Sequence, residues 1–372
     1  MNNYIYKKER LKMTSLAIVY DAGSELETDG HYGTMHLMEH LICKTFKDLY
    51  PMFSANGIDW NAHTSESKIV VWLEGLSSRF TSEIKIDILK RLCGGIECVN
   101  ENEFDTEKTV VIQEYFDSIV DDMQTNYLNM MRRYWNDYCP IGKFEDIKSF
   151  DYQNMLDAYS QYFKYPTRII EIGPEKTEQL AEFCDPSNVK KFKHKKPLFG
   201  KYENELINEN SHVKMPVYML FPKTVTKKDY PLLRVGLSML VDGIESPYYD
   251  EIRVKNGLSY YVIGNIEKNI EGGKMIICAC TDVVNADNLL NKMSDLSMKT
   301  YDYLTDDRFD IVMNGMKVNR EKENMLKYAY TNKYANLSKL KMPSDLDKIE
   351  LADVRYIMSR YFADVKVIKG TF

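Results

Sequence analysis

The stretch H-L-M-E-H-L-I-C-K, residues 36–44, brings two imidazoles and a carboxylate together within five positions. On a helix, residues three and four apart are neighbours. His36, Glu39 and His40 therefore share one face, while Leu37, Met38, Leu41 and Ile42 can pack the helix into a core. Two imidazoles so placed can hold one divalent ion. Catalytic zinc takes three protein ligands and keeps a fourth position for water, so a third donor must come from elsewhere in the chain. The best source is T-E-K-T-V-V-I-Q-E, where Glu107 and Glu114 stand seven residues apart, about two helical turns. Glu114 would complete the metal set, and Glu107 would orient a histidine or the pocket from behind it. Glu39 would serve as general base toward a water whose pKa a zinc ion lowers to ~7, passing the proton on to a leaving amine. That chemistry is peptide hydrolysis. The plain alternative is an amphipathic helix whose histidines lie on the surface or cap, with Glu39 in an ordinary helix pair.

These side chains need elements to position them. S-L-A-I-V-Y-D-A-G-S and S-K-I-V-V-W-L-E-G-L read as core strands on either side of the histidine helix. Long helical patterns follow at F-D-T-E-K through R-R-Y-W and at D-Y-Q-N-M-L-D-A-Y-S-Q-Y-F, then a strand R-I-I-E-I-G closed by Pro174. The segment D-P-S-N-V-K-K-F-K-H-K-K-P combines turn residues with a lysine cluster and little apolar periodicity, which marks a solvated connection. Beyond it the pattern restarts: strand V-K-M-P-V-Y-M-L-F, helix Y-P-L-L-R-V-G-L-S-M-L-V-D-G, strands L-S-Y-Y-V-I-G-N-I and K-M-I-I-C-A-C-T. Two long helices, a last helix and the strand V-K-V-I-K-G complete it. The expected architecture is α+β, two similar domains over 1–188 and 205–372 joined by a linker at 189–204.

Composition sets outer bounds. With 372 residues, 44% hydrophobic and 28% charged, the chain suits about two globular domains. A net charge of -6 argues against a general nucleic-acid binder, and the lysine cluster lacks the aromatic platform such a role needs. Seven scattered cysteines, an odd number without paired metal spacing, read as small buried hydrophobes of a reducing compartment. Neither a secretory signal nor an apolar run long enough for a membrane span is evident. The expected location is cytoplasmic.

The order histidine-x-x-glutamate-histidine is the inverzincin signature, and the chain resembles the family of pitrilysin, insulin-degrading enzyme and mitochondrial processing peptidase over nearly its whole length. G-H-Y-G-T-M-H-L-M-E-H-L-I-C-K-T-F is similar to that family's active-site helix, N-A-H-T-S to the neighbouring strand, and E-K-T-V-V-I-Q-E to the helix of the third ligand. The resemblance implies His36, His40 and Glu114 as ligands of one zinc ion per chain, Glu39 as base and Glu107 as supporting carboxylate. It also implies that Arg253 and Tyr260, in I-R-V-K-N-G-L-S-Y-Y-V, bind the substrate carbonyl and stabilise the oxyanion. A guanidinium and a phenol are suitable donors for that charge.

Asn61, Ala62, His63 and Thr64 would offer a strand edge to which an extended peptide adds itself, with His63 lining the cleft rather than serving as a fourth ligand. C-K-T-F lacks a glycine frequent in the family, and the interval from His40 to Glu114 is slightly short; both bear on loops, not ligands. In the family four related domains close a clamshell chamber around the substrate, so a chain of two implies a homodimer or a heterodimer with a related subunit. Unstructured peptides are the expected substrates, a ribosomally made precursor among them. The rival expectation is a non-catalytic scaffold or binding subunit of such a pair.

Overall fold

The computed structural model describes residues 3–10, 12–120, 140–184, 192–193, 214–268, 271–325 and 340–370. They fall into two compact units, the first reaching Asp117 and including 140–184 and 192–193, the second formed from 214 onward together with 118–120 at the end of a long helix. The expected linker at 189–204 lies outside the described residues apart from 192 and 193, as do the continuation of the long helix after Val120 and Cys139.

In the first unit, strands β1 (Tyr4–Lys8), β2 (Met13–Tyr20), β3 (Asp59–Thr64), β4 (Ile69–Leu76) and β5 (Arg168–Gly173) form one sheet in the order β1-β5-β2-β4-β3. All pairings are antiparallel except β1 with β5. Alternate residues of a strand face opposite sides. Leu16, Ile18 and Tyr20 of β2 join Val71 and Leu73 of β4 in the main core. Ala17 and Val19 face the other way, into a second apolar cluster with Val70, Ile170 and Ile172. A strand buried on both faces reads as an unbroken apolar run, which is why L-A-I-V-Y stands out in the sequence. The one charged side chain at the middle of β5, Glu171, is fully buried and answered by Lys85 Nζ at 2.6 Å, the Tyr4 hydroxyl and both the backbone N–H and hydroxyl of Thr177.

Helices α1 (Thr34–Lys44), α2 (Tyr50–Asn56), α3 (Ser82–Gly94), α4 (Glu101–Val120), α5 (Phe144–Ser149) and α6 (Tyr152–Ala158) belong to this unit. α6 runs on into a wider turn, Tyr159–Phe163, within the single helix expected there.

The second unit repeats the plan. β6 (Lys214–Leu220), β7 (Val262–Lys268), β8 (Gly273–Asp282) and β9 (Lys366–Lys369) pair antiparallel in the order β7-β8-β6-β9. This matches β3-β4-β2-β5 of the first sheet strand for strand. Helices α7 (Tyr230–Val241), α8 (Ala286–Met298), α9 (Asp306–Met325) and α10 (Leu351–Phe362) pack on it. The expected strand L-S-Y-Y-V-I-G-N-I begins only at Val262. Before that point the Ser259 hydroxyl bonds the Tyr261 carbonyl at 2.8 Å and accepts the Cys280 N–H at 3.3 Å. Side-chain bonds of this kind replace the ladder and leave Tyr260 in a turn.

Candidate metal centre

α1 is aimed by its N-terminus. The buried Glu27 carboxylate accepts the Gly33 and Met35 backbone N–H groups at 3.0 and 2.8 Å, satisfying donors a helix start leaves open and placing negative charge at the positive end of its dipole. Gly33 takes a left-handed φ of 98°, and a side chain on Gly142 would strike Gly33 Cα at 2.1 Å. Two glycines thus let the P-I-G-K loop lie against the helix start, where the Asp146 carboxylate accepts the Tyr32 N–H at 2.9 Å. Leu37, Met38, Leu41 and Ile42 are fully buried, which turns the polar face outward.

On that face His36 Nε2 lies 3.4 Å from Glu114 Oε2, and His40 Nε2 lies 3.7 Å from Glu114 Oε1. The two imidazoles meet edge to face at 5.1 Å between centroids. Glu114 arrives from α4, two turns after Glu107, whose Oε2 faces His40 Nδ1 at 3.1 Å. With Nδ1 donating to that carboxylate, the His40 lone pair is left on Nε2, facing Glu114. Among the described residues, His36, His40 and Glu114 form the one group of three whose donor atoms could hold a metal ion, all within 4.8 Å of one another. The histidine–carboxylate separations are too long for good hydrogen bonds, yet close to the ~3.3 Å between ligand atoms of a tetrahedral zinc site with bonds near 2.0 Å. His36 Nδ1 is buried with no hydrogen-bond partner among the described residues. Burial, then His40, lowers the His36 pKa to about 4, so the imidazole is neutral and able to donate its lone pair over the physiological range. The donor set fits a zinc ion.

Glu39 is buried, and the Thr64 hydroxyl donates to its Oε2 at 2.6 Å. Burial pushes the Glu39 carboxyl above its ordinary range, against the lowering effect of Thr64 and His40. β3 is the edge strand of its sheet; Asn61 and His63 point to its exposed side, Ala62 and Thr64 to the half-buried one. All four line a cleft of about 610 Å³ shared with His36, Glu39, His40, Glu107 and Glu114. His63 stands outside the three-residue metal group. The stacked rings of Tyr50 and Trp60, 4.9 Å apart, wall the same cleft.

Arg253 and Tyr260, both in the second unit, are brought together: the guanidinium lies 4.1 Å from the centre of the Tyr260 ring and donates to the Tyr249 hydroxyl. Tyr260 is strongly exposed. Glu27 and the partner of Glu39, Thr64, act on the site in ways spacing did not disclose. Glu27 sits nine residues before His36 in a loop, outside any periodic pattern, and the sole signal for it is an acid just ahead of a glycine-led helix start.

The family profile described as "Peptidase M16 inactive domain" matches residues 150–316. Over that stretch the chain is similar to the peptidase M16 family. The matched stretch begins after the helices that carry His36, Glu39, His40, Glu107 and Glu114. The beta subunits of the mitochondrial-processing peptidase of Bos taurus and Homo sapiens are 24% identical over 193 residues, covering 46% of this chain and 37% of theirs. The chain thus matches little more than a third of the length of these curated relatives. Solved structures share the fold over nearly everything. A protease from Helicobacter pylori superposes with a TM-score of 0.81 at 16% identity, covering 99% of this chain and 97% of its own. A peptidase M16 inactive domain from Pseudomonas fluorescens gives 0.78 at 13% identity, covering 99% and 94%. No helix among the described residues is long and apolar enough to cross a membrane.

Proposed function

We propose that this chain is a zinc metalloendopeptidase of the M16 type acting on unstructured peptides. The observation that carries the reading is the convergence of His36, His40 and Glu114 beside a buried carboxylate, Glu39. A zinc ion held by those three residues would supply Lewis acidity and a water acidified to a pKa of ~7. Glu39, its carboxyl raised by burial, takes the proton of the attacking water and delivers it to the leaving amine nitrogen, a role for which a pKa shifted toward neutrality is suited. The Thr64 hydroxyl donates to Glu39 Oε2 at 2.6 Å and steadies the carboxylate at the wall of the cleft. The free edge of β3 accepts an extended peptide through main-chain hydrogen bonds, with Asn61, Ala62, His63 and Thr64 along it. Arg253 and Tyr260 donate to the developing oxyanion, reached across a dimer with a second copy or a related subunit; the beta-subunit names of the relatives support a partnered assembly. Free thiols at six described cysteines suit a cytoplasmic setting, and a ribosomally made precursor peptide is a fitting substrate. The proposed domain limits are 1–188 and 205–372.

The test is a paired one. Purified protein should carry about one zinc per chain and cleave an unstructured peptide. Glu39→Gln should keep the metal and lose cleavage by ~10²–10⁴-fold, the usual worth of a positioned base. Undiminished cleavage removes Glu39 from its role. The inactive-domain name of the matched profile favours a second reading, a non-catalytic subunit, and protein that takes up no zinc would support it.

A further inference from the structure

Glu107 is only 7% exposed, and both of its oxygens are engaged. Oε2 faces His40 Nδ1 at 3.1 Å, and Oε1 meets Lys44 Nζ at 2.7 Å. His40 and Lys44 are four residues apart on α1, hence stacked on one face one turn from each other. The two helices are therefore stitched by a chain that runs Lys44, Glu107, His40 and, from the far side of the imidazole, Glu114. A carboxylate this deeply buried needs compensation at each oxygen; with one oxygen unanswered, it would rotate toward solvent or toward whatever cation it could reach, and the His40 ring would turn with it.

We propose that Lys44 is a positioning residue of the metal centre. By binding Oε1 it fixes Oε2 on His40 Nδ1, which holds the ring with Nε2 turned to Glu114 and its lone pair ready for an ion. The lysine ammonium meets the supporting carboxylate and not the ligand atoms, so it acts through Glu107 alone. Three residues past the end of α1, Lys47 makes an analogous pair with Glu103 of α4, away from the histidines, and provides an internal control. This inference rests on the zinc reading above.

The experiment compares wild type, Lys44→Met, Lys44→Arg, Lys47→Met and Glu107→Gln, with the Lys44→Met/Glu107→Gln double variant. Zinc dissociation constants come from chelator competition, the visible spectrum of the cobalt-loaded protein reports ligand geometry, and melting of the metal-free protein reports the fold. Lys44→Met should weaken zinc by ~10–100-fold, the range typical of losing an outer hydrogen-bond partner of a ligand, and should alter the cobalt spectrum. Lys44→Arg should recover most of the affinity, Lys47→Met should leave both readouts unchanged, and in the Glu107→Gln background Lys44→Met should add little. Equal zinc affinity in Lys44→Met and wild type overturns the proposal while leaving the peptidase reading intact, as does an equal loss in Lys44→Met and Lys47→Met. Wild-type protein that binds no zinc overturns both.

Discussion

α1 and α7 follow equivalent strands, β2 and β6, in two sheets of the same order, yet they spend their surfaces differently. From Val235 through Val241 every residue of α7 is buried, and Gly236 lies so near α10 that a Cβ there would come within 2.5 Å of Met358. α1 buries most of its residues and leaves His36, His40 and Lys44 only partly covered, along the side that faces the cleft. Their anchoring is also opposite. Glu27 holds the N-terminus of α1, whereas the buried Arg308 binds the last carbonyls of α7, that of Met239 at 3.0 Å and that of Asp242. Each charge sits at the helix end whose dipole favours it. The difference teaches that one supersecondary plan can be tuned either for packing or for chemistry, and that the chemical copy gives up one face of burial.

The comparison can be broken from either side. Leu237→Ala, in the fully packed helix, should cost about 2–5 kcal/mol of stability, as a large-to-small change at a fully buried site does, measured by denaturant unfolding; a loss below ~1 kcal/mol would mean α7 is not the packed copy. α1 should instead show itself through protons. His36 has a folded pKa of about 4 against 6.5 when free, so the unfolded chain binds the extra proton first. Stability of the metal-free protein is then fully present above about pH 6.5 and falls by about 3 kcal/mol as pH drops to 4. His36→Asn should flatten this slope and be more stable than wild type near pH 4.5, while the Leu237→Ala deficit should stay constant over the same range. A wild-type slope identical to that of His36→Asn would refute the burial of a neutral imidazole. The smallest effect should come from Glu27→Ala, which removes the cap of α1 and should lower stability by about 1–2 kcal/mol, read from the melting temperature of the metal-free protein.

Much of this was legible in the sequence because periodicity survives without coordinates. The spacing of His36, Glu39 and His40, and of Glu107 and Glu114, defines faces of helices whatever the rest of the chain does, and the apolar runs of β2, β4, β6 and β8 follow from strands covered on both sides. The turn at Tyr260 was not legible: L-S-Y-Y-V-I-G-N-I has the composition of a strand throughout, and only the hydroxyl of Ser259, bonding locally, tells where the ladder starts. Lys44 and Glu27 were silent for another reason. Their partners, Glu107 and the start of α1, are reached through tertiary packing, and no residue spacing encodes a contact between a helix and a carboxylate that arrives from a distant element or an irregular loop.

The first sheet carries one more consequence, for the order in which the protein forms. β5 lies between β1 and β2, although Arg168 follows Tyr20 by nearly 150 residues. β2, α1, β3 and β4 can assemble soon after they are synthesised, since their contacts are local and loop closure is cheap. Until β5 emerges, however, the outer edge of β2 presents unpaired backbone groups flanked by alanine, isoleucine and valine, the kind of surface on which chains stick to one another. The helix bearing the histidines can thus be complete early, but the nascent chain is protected only when a strand made much later slides into the gap.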